Sequence, residues 1–433
     1  SAPSSAAATT NEDRPLQPAS TRVSVEQALD SGDPGAALQA LEGHFSQAFA
    51  QRLGRAVPEV SVPEFQERLK QLAAETQTEP AVIFVFVRRE QLELMLVPTT
   101  GAPIRYRVPS APGEAVLAQA RALQDEIIDP TRRLTTSYLQ PAQQLHRWVM
   151  EPLQGDLERL GIDTLLFSLD EGLRSLPLAA LHDGRQFLIE RYRFSVIPSL
   201  TLANLNYTDV RKANVLALGI SEFQYLNPLP AVPMELTAIA QPGTNRKAIL
   251  NEGFTVANLK QQRQAARATV VHLATHAEFV PGDRGDSFIQ FWERPLAFEE
   301  MLALDWQDPE LALLVLSACR TALGDPEAEY GFAGLAVQAG VETAIASLWY
   351  ANDIGTLGLM SEFYHHLGQT PLKSEALRQA QLALLRGDLH LQGQQLVSRS
   401  GRLNLPPDLD FITLDNFQHP YYWAGFAAIG NPW

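Results

Sequence analysis

The apolar stretch Leu311-Ala-Leu-Leu-Val-Leu-Ser-Ala-Cys319 is the most informative part of this chain, because it ends in the only cysteine of the sequence. A second stretch of the same kind, Thr269-Val-Val-His-Leu-Ala-Thr-His276, ends in a histidine. Both have the length and β-branched content of buried strands. Neighbouring strands lie about 4.8 Å apart, so two such strands side by side would bring a thiol close to an imidazole. That pair is the minimum apparatus of a cysteine nucleophile with a histidine base.

The surrounding sequence predicts an α/β fold. Apolar stretches that read as strands alternate with helical stretches from about residue 163 onward, at 164–169, 193–197, 215–220, 269–275, 311–317 and 343–348. Strands that are apolar almost throughout are typical of a mainly parallel sheet with helices on both faces. In such sheets, ligands bind in the crevice outside the carboxyl ends of the strands, and Cys319 and His276 are expected there because each ends a predicted strand.

The chain divides into four predicted parts. Residues 1–22 are rich in Ser, Ala and Pro and are interpreted as a flexible linker. Residues 23–76 form a helical segment, which could be the remnant of a repeat array. Residues 77–162 form an α+β part with a small antiparallel β region, in which the stretches 91–97 and 104–108 alternate like half-buried strands. Residues 163–433 form the catalytic α/β part.

Composition excludes several classes of function. The formal net charge of −15 argues against nucleic acid as the main partner. There is no apolar run of the length that spans a bilayer. A single cysteine permits neither an internal disulfide nor a zinc site built on several thiolates. Phosphate-binding glycine motifs are absent as well, so no cofactor or metal is expected.

The histidine that serves as base can be chosen by position. His272 and His276 are four residues apart, roughly 13 Å along a strand, so they cannot both reach one thiol. His272 lies inside an apolar strand and is expected to be structural, whereas His276 stands at the strand end. Backbone N–H groups at the turns that follow strands commonly stabilise an oxyanion. The N–H groups of Ala277 and Cys319 are the candidates here.

Two acidic residues are candidates for a substrate pocket. Asp170 follows the strand at 164–169 and is expected in the same crevice, although turn capping is the competing explanation. Asp353 follows the strand at 343–348 and could instead cap a helix. Either carboxylate would suit a basic side chain of a substrate.

Several ordered motifs resemble one family. Val271-His-Leu-Ala-Thr-His276, Leu316-Ser-Ala-Cys-Arg-Thr-Ala322, Ser347-Leu-Trp349 and the terminal Trp423-Ala…Ile429-Gly-Asn-Pro432 are similar to motifs of the CHAT domain. Leu173-Arg-Ser-Leu-Pro-Leu-Ala-Ala-Leu181 and Pro198-Ser199 stand where that family has its early motifs. CHAT domains are caspase-like cysteine peptidases, often attached to tetratricopeptide repeats, and the layout resembles cyanobacterial members. The resemblance covers about residues 80–433.

The resemblance implies hydrolysis of peptide bonds in a protein or peptide substrate, with His276 as general base and Cys319 as nucleophile. It also implies regulation, for example by a protein activator. One departure is that Ala277 stands where the family usually has Gly, which would strain the site if that position needed a positive φ.

Two other functions remain open from the sequence. One is a CHAT scaffold or sensor of weak or no catalytic activity that binds protein partners. The other is a thiol amidohydrolase that acts on small molecules. A single reactive thiol works most simply in a reducing cytoplasm, so that compartment is favoured, although a mature exported chain could also begin at Ser1.

Overall fold

The computed structural model describes residues 18–53, 61–279, 287–297, 300–301, 303–304, 306–317, 320–321, 340–349, 352–406 and 416–433. The predicted nucleophile Cys319 and most of the linker 1–22 lie outside these described residues. The α-helices are α1 (Pro18–Ser31), α2 (Pro34–Leu53), α3 (Val62–Thr76), α4 (Gly113–Ile128), α5 (Leu139–Val149), α6 (Gln154–Arg159), α7 (Leu188–Arg191), α8 (Val232–Ile239), α9 (Val256–Ala266), α10 (Asp353–Leu367) and α11 (Lys373–Leu385).

The strands are β1 (Pro80–Val87), β2 (Leu92–Pro98), β3 (Ile104–Val108), β4 (Thr164–Leu169), β5 (Arg193–Val196), β6 (Val215–Gly219), β7 (Arg246–Leu250), β8 (Val270–Ala274), β9 (Ala277–Phe279), β10 (Phe288–Gln290), β11 (Pro295–Ala297), β12 (Leu313–Leu316), β13 (Arg320–Thr321), β14 (Thr343–Ser347), β15 (His390–Gln392), β16 (Gln395–Val397), β17 (Arg402–Asn404) and β18 (Phe426–Gly430). Short 3₁₀ helices span Pro130–Arg132, Glu151–Leu153, Leu178–Ala180, Asn251–Gly253 and Pro420–Tyr422.

One eleven-stranded sheet, in the order β3-β2-β1-β4-β5-β18-β14-β12-β8-β6-β7, organises the described chain. The strands β14, β12, β8, β6 and β7 are parallel to one another, as are β1, β4 and β5. The hairpins of β1, β2 and β3 are antiparallel, and β18 runs antiparallel to β14. The prediction of a mainly parallel sheet flanked by helices, with a small antiparallel region, is confirmed. Two small sheets, β11-β10-β9-β13 and β15-β16-β17, complete the fold.

Helices cover both faces of the sheet around β1, β2 and β4. Helices α1, α2 and α3 pack on one face through residues such as Phe45 and Phe65, while α4 and α5 pack on the other through residues such as Leu123 and Leu145. Every residue of β2 is buried as a result. The prediction that this stretch is half-buried is therefore wrong, and its polar residue Glu93 is accommodated by two hydrogen bonds of 2.9 Å from Arg105.

A buried carboxylate joins the N-terminal helices to the rest of the chain. Glu42 on α2 accepts the backbone N–H groups of Leu200 and Thr201, both at 2.8 Å, and the hydroxyl of Ser46 at 2.7 Å. Ser46 in turn lies 2.8 Å from the hydroxyl of Ser199. These bonds satisfy a buried turn that follows β5, because buried backbone donors need a partner.

The strands at the centre of the second parallel group are fully buried, since helices lie on both of their faces. Helices α8, α10 and α11 share one apolar cluster with β8, β12 and β14, and the other faces of these strands contribute to a second cluster. Within the described residues, no helix is long and apolar enough to cross a membrane.

Candidate active site

The carboxyl ends of four adjacent parallel strands form the candidate site. Strands β6, β8, β12 and β14 end at Gly219, Ala274, Leu316 and Ser347 respectively. His276 follows β8 by two residues and is partly exposed. The structure therefore places the predicted base at the strand edge where chemistry was expected.

Two residues of the segment after β6 hold the His276 ring. The Nε2 atom lies 2.8 Å from the backbone carbonyl oxygen of Asn227. The ring of Phe223 packs against the imidazole with centroids 4.7 Å apart and an interplanar angle of 59°. A carbonyl oxygen can only accept a hydrogen bond, so Nε2 carries the proton in the neutral ring. Nδ1 is then left with a lone pair and can act as a base.

The backbone of His276 and Ala277 is fixed by strand pairing. The N–H of Gln290 donates to the carbonyl of His276 at 2.8 Å, so His276 turns its backbone toward β10. Successive residues of an antiparallel ladder turn their backbone groups to opposite sides. The N–H of Ala277 therefore faces away from β10, toward the side on which β13 lies.

The methyl group of Ala277 causes no backbone strain. Ala277 belongs to β9, and the non-glycine residues with a left-handed φ in the described chain are Gln77, Asn251 and Arg267. An L-residue fits an extended backbone, so replacing the family's usual glycine leaves the local geometry intact.

The residues on both sides of Cys319 pair with the residues on both sides of His276. Before the cysteine, Leu316 pairs with Leu273 in the ladder of β12 and β8. After it, Arg320 pairs with Glu278 in the ladder of β13 and β9. Cys319 itself lies outside the described residues. The residues that pair on either side of it, Leu316 and Arg320, lie beside the segment that carries His276.

A buried hydroxyl stands two residues before Cys319. Ser317 is 3% exposed, and its Oγ has no hydrogen-bond partner among the residues that the structure describes. An unsatisfied buried hydroxyl costs stability. This makes Ser317 a candidate contact for a substrate atom.

His272 has a structural role. It is fully buried in β8, and its Nε2 lies 2.9 Å from the Glu235 carboxylate on α8, without the alignment of a hydrogen bond. The ring also packs edge-on against Tyr364, with centroids 5.5 Å apart. His272 is enclosed in the core and does not reach the strand edge.

The two acidic candidates lie at different distances from His276. Asp170 follows β4, which is five strand positions from β8, or about 24 Å at the usual strand spacing. Its buried carboxylate accepts the N–H groups of Val87 and Glu171, both at 2.9 Å, and pairs with Arg22 at 3.2 Å. The structure does not bring Asp170 to His276, so the expectation that it shares the crevice fails.

Asp353 lies on the same edge as His276. It is the first residue of α10, which follows β14, two strand positions from β8. The preceding Asn352 caps this helix by accepting the N–H groups of Ile354 and Gly355, both at 3.1 Å. Asn352, and not Asp353, is therefore the capping residue of this helix. The role of Asp353 in a substrate pocket stays a prediction.

Three contributors were not foreseen from the sequence, namely Phe223, Asn227 and Ser317. A backbone carbonyl leaves no side-chain signal, so nothing in the sequence could single out Asn227. The described residues contain no group of three or more His, Cys, Asp or Glu side chains that could hold a metal ion.

Comparisons with known proteins identify the fold and the family. Among proteins of curated function, no sequence relative is found. Two crystal structures of the Saccharomyces cerevisiae separase–securin complex, at 3.0 and 2.6 Å resolution, match 92% and 96% of the chain with TM-scores of 0.52 and 0.49 and 9% identity. The chain spans about a third of the length of those chains (33% and 34%), and the 3.0 Å match supports the caspase-like fold alone.

The family model described as "CHAT domain" matches residues 139–431, which is more than half of the chain. The matched region contains the strands that carry His276 and flank Cys319. The chain therefore belongs to the CHAT domain family, a family of caspase-like peptidase fold.

Proposed function

We propose that this protein is a cysteine endopeptidase in which Cys319 is the nucleophile and His276 the general base. The observation that carries the proposal is the double pairing around the two residues. Leu273 with Leu316, and Glu278 with Arg320, bracket His276 on one chain segment and Cys319 on the other. Parallel neighbours at about 4.8 Å spacing favour a thiol and an imidazole within reach of each other.

The proposed reaction has two stages. The Cys319 sulfur, having given its proton to Nδ1 of His276, attacks the scissile carbonyl carbon and forms a tetrahedral oxyanion. The C–N bond then breaks, His276 returns the proton to the leaving amine, and a thioester remains on Cys319. His276 next removes a proton from water, which attacks the thioester and releases the carboxylic acid and the thiol.

Oxyanion stabilisation is assigned to the backbone N–H groups of Ala277 and Cys319. The orientation of the Ala277 N–H, away from β10, supports this role. A preorganised donor of this kind is commonly worth about 10²–10³ in kcat.

Asp353 is the acidic residue proposed for the substrate pocket, with a preference for a basic side chain next to the scissile bond. Its place on the edge formed by β8, β12 and β14 supports this assignment, whereas Asp170 is too far away to serve the same pocket.

An activity-based probe tests the proposal. We expect a peptidyl acyloxymethyl ketone with Arg or Lys next to the ketone to label Cys319, with the adduct located by mass spectrometry. Labelling should disappear in Cys319→Ala and His276→Ala, but persist in His390→Ala, a matched control because His390 is exposed on β15. Equal labelling in His276→Ala would refute the dyad. A Cys319 that a small alkylating reagent modifies but no peptidyl probe labels would favour the non-catalytic scaffold.

A further inference from the structure

An unusual concentration of exposed apolar side chains lies beside the candidate site. Six large hydrophobic residues are exposed in the described chain, and four of them stand in three neighbouring loop regions: Tyr225 and Leu226 after β6, Leu250 where β7 ends, and Trp292 between β10 and β11. Tyr225 is 94% exposed. Single exposed apolar residues are ordinary, but a cluster marks an interaction site. We call these four residues, with the glutamates described below, the Tyr225 surface.

Hydrogen bonds hold the three loops together. The N–H of Ser221, in the loop of Tyr225, donates to Asn251 Oδ1 at 2.9 Å, next to Leu250. The N–H of Trp292 donates to the carbonyl of Phe254 at 3.0 Å, in the segment that follows Leu250. The loops thus form one continuous rim at the end of β6 and β7.

Each loop also carries an exposed carboxylate. Glu222, Glu252 and Glu293 are exposed and stand within three residues of an apolar member of the surface. The nearby cation Arg294 is already paired with Glu300 at 2.6 Å. The Tyr225 surface is therefore both apolar and negatively charged, which complements a segment that is apolar and positively charged.

The surface adjoins the catalytic base through a single segment. Between Ser221 and Leu229 the chain presents Tyr225 to solvent, packs Phe223 on the His276 ring and aims the Asn227 carbonyl at Nε2. A polypeptide lying across Tyr225 would thus approach the edge where the scissile bond must be held.

We propose that the Tyr225 surface is an exosite that binds a basic and apolar segment of the substrate polypeptide, away from the residues at the scissile bond. This assignment rests on the proposed peptidase function. Tyr and Trp supply large contact areas at low entropic cost and bind Lys or Arg through their ring faces, while the glutamates pair with the same cations.

Two synthetic substrates test the exosite. One is a short fluorogenic peptide with Arg at the cleavage position. The other joins the same peptide to a segment of alternating Lys, Leu and Phe. We expect the joined substrate to have a KM about tenfold lower in the wild type, corresponding to about 1.4 kcal/mol. Tyr225→Ser should remove this advantage and leave cleavage of the short peptide unchanged.

Matched variants and a charge-reversed substrate sharpen the test. Leu134→Ser changes an 86% exposed residue elsewhere and should alter neither KM. Glu222→Gln should reduce the difference in KM between the two substrates, whereas Glu90→Gln, far from the surface, should leave it unchanged. Replacing Lys by Glu in the added segment should abolish the difference. Direct binding of the fluorescent segment to the Cys319→Ala protein should follow the same order.

The outcomes separate the two proposals. If the wild type cleaves both substrates with the same KM, or if Tyr225→Ser and Leu134→Ser behave alike, the exosite is wrong while the peptidase stands. If neither substrate is cleaved and no probe labels Cys319, the peptidase proposal fails first. Self-association of the wild type that Tyr225→Ser abolishes would assign the surface to a second copy and overturn the exosite.

Discussion

The Nε2 atom of His276 and the backbone carbonyl oxygen of Asn227 lie 2.8 Å apart, and this contact determines which ring nitrogen can act as a base. The carbonyl keeps the proton on Nε2, so Nδ1 presents its lone pair. Orientation of a catalytic histidine by a third group is a general requirement of nucleophile–base pairs. In the proposed dyad of Cys319 and His276 that group is the backbone carbonyl of Asn227, and its direction depends on how the surrounding segment is held.

Pro228 is expected to hold that direction, because a residue before proline is restricted to extended conformations. We predict that Pro228→Gly lowers kcat about tenfold, corresponding to about 1.4 kcal/mol, with a smaller change in KM. Steady-state kinetics with the fluorogenic peptide measure this. Pro230→Gly raises the conformational entropy of the unfolded chain by the same amount two residues away, so it serves as the control. Equal losses of kcat in the two variants would argue against a positioning role for the Asn227 carbonyl.

We predict that the Ser317 hydroxyl lowers the stability of the protein and contributes to its activity. Within the described part of the chain this hydroxyl is buried without a partner, so Ser317→Ala should raise the free energy of unfolding by about 1 kcal/mol while lowering kcat/KM. Ser347→Ala, at the end of the neighbouring strand, should instead destabilise, because Ser347 Oγ donates to the Trp349 carbonyl. Urea unfolding and peptide kinetics on both variants provide the comparison. A destabilised Ser317→Ala would mean that the hydroxyl has a partner in the folded protein.

Substitutions of His272 and His276 should have different effects. His276→Ala should abolish cleavage with little change in stability. His272→Leu removes the polar group that lies 2.9 Å from the buried Glu235 carboxyl group and should cost about 1–3 kcal/mol of stability. The double variant His272→Leu/Glu235→Leu should recover most of that loss, because no buried polar group is then left without its polar neighbour. Without such recovery in thermal or urea unfolding, the loss of this contact would not be the source of the cost.

The sequence predicted the strands of the candidate site well, because strands that are buried on both faces consist almost entirely of apolar residues. The stretch predicted as 269–275 is observed as β8, Val270–Ala274, with His276 at its end. Contacts made by the backbone could not be predicted in the same way. Any residue supplies a carbonyl, so Asn227 carries no pattern that points to His276.

Long-range packing explains the remaining differences. The alternation in β2 predicts one solvent-facing side, but α1, α2 and α3 cover that side in the fold. The sequence also placed Asp170 near the site because it follows a strand, whereas the order of strands in the sheet separates it from His276. Strand order depends on contacts between distant segments, which local patterns do not encode.

One such contact is that of Glu42, and it can be tested. We predict that Glu42→Ala lowers the free energy of unfolding by about 2–3 kcal/mol, because two buried backbone N–H groups lose a charged acceptor. Glu67→Ala, on the exposed face of α3, should change it by less than about 0.5 kcal/mol. Urea unfolding of the two variants measures the difference. Equal losses of unfolding free energy would show that the Glu42 hydrogen bonds do not stabilise the protein.

Stability should also depend on pH through His419. This residue is 7% exposed, and burial together with the charge of Arg133 lowers its pKa from 6.5 to about 4. In the folded state its Nδ1 accepts the N–H of Tyr421 at 3.2 Å, which requires a neutral nitrogen. Between pH 6.5 and 4 the unfolded chain therefore binds more protons than the folded one, so acidification favours unfolding.

We predict that the free energy of unfolding falls by about 1–2 kcal/mol between pH 6.5 and 4.5 through this group. Full burial would give the upper value, and partial solvation of the ring reduces it. His419→Asn keeps a side-chain acceptor for the Tyr421 N–H without a titrating ring, so its stability should decline less over the same range. Urea unfolding at several pH values measures the difference between the two slopes. The exposed His390→Asn should keep the wild-type slope. Parallel slopes for the wild type and His419→Asn would show that His419 is solvated in the folded protein.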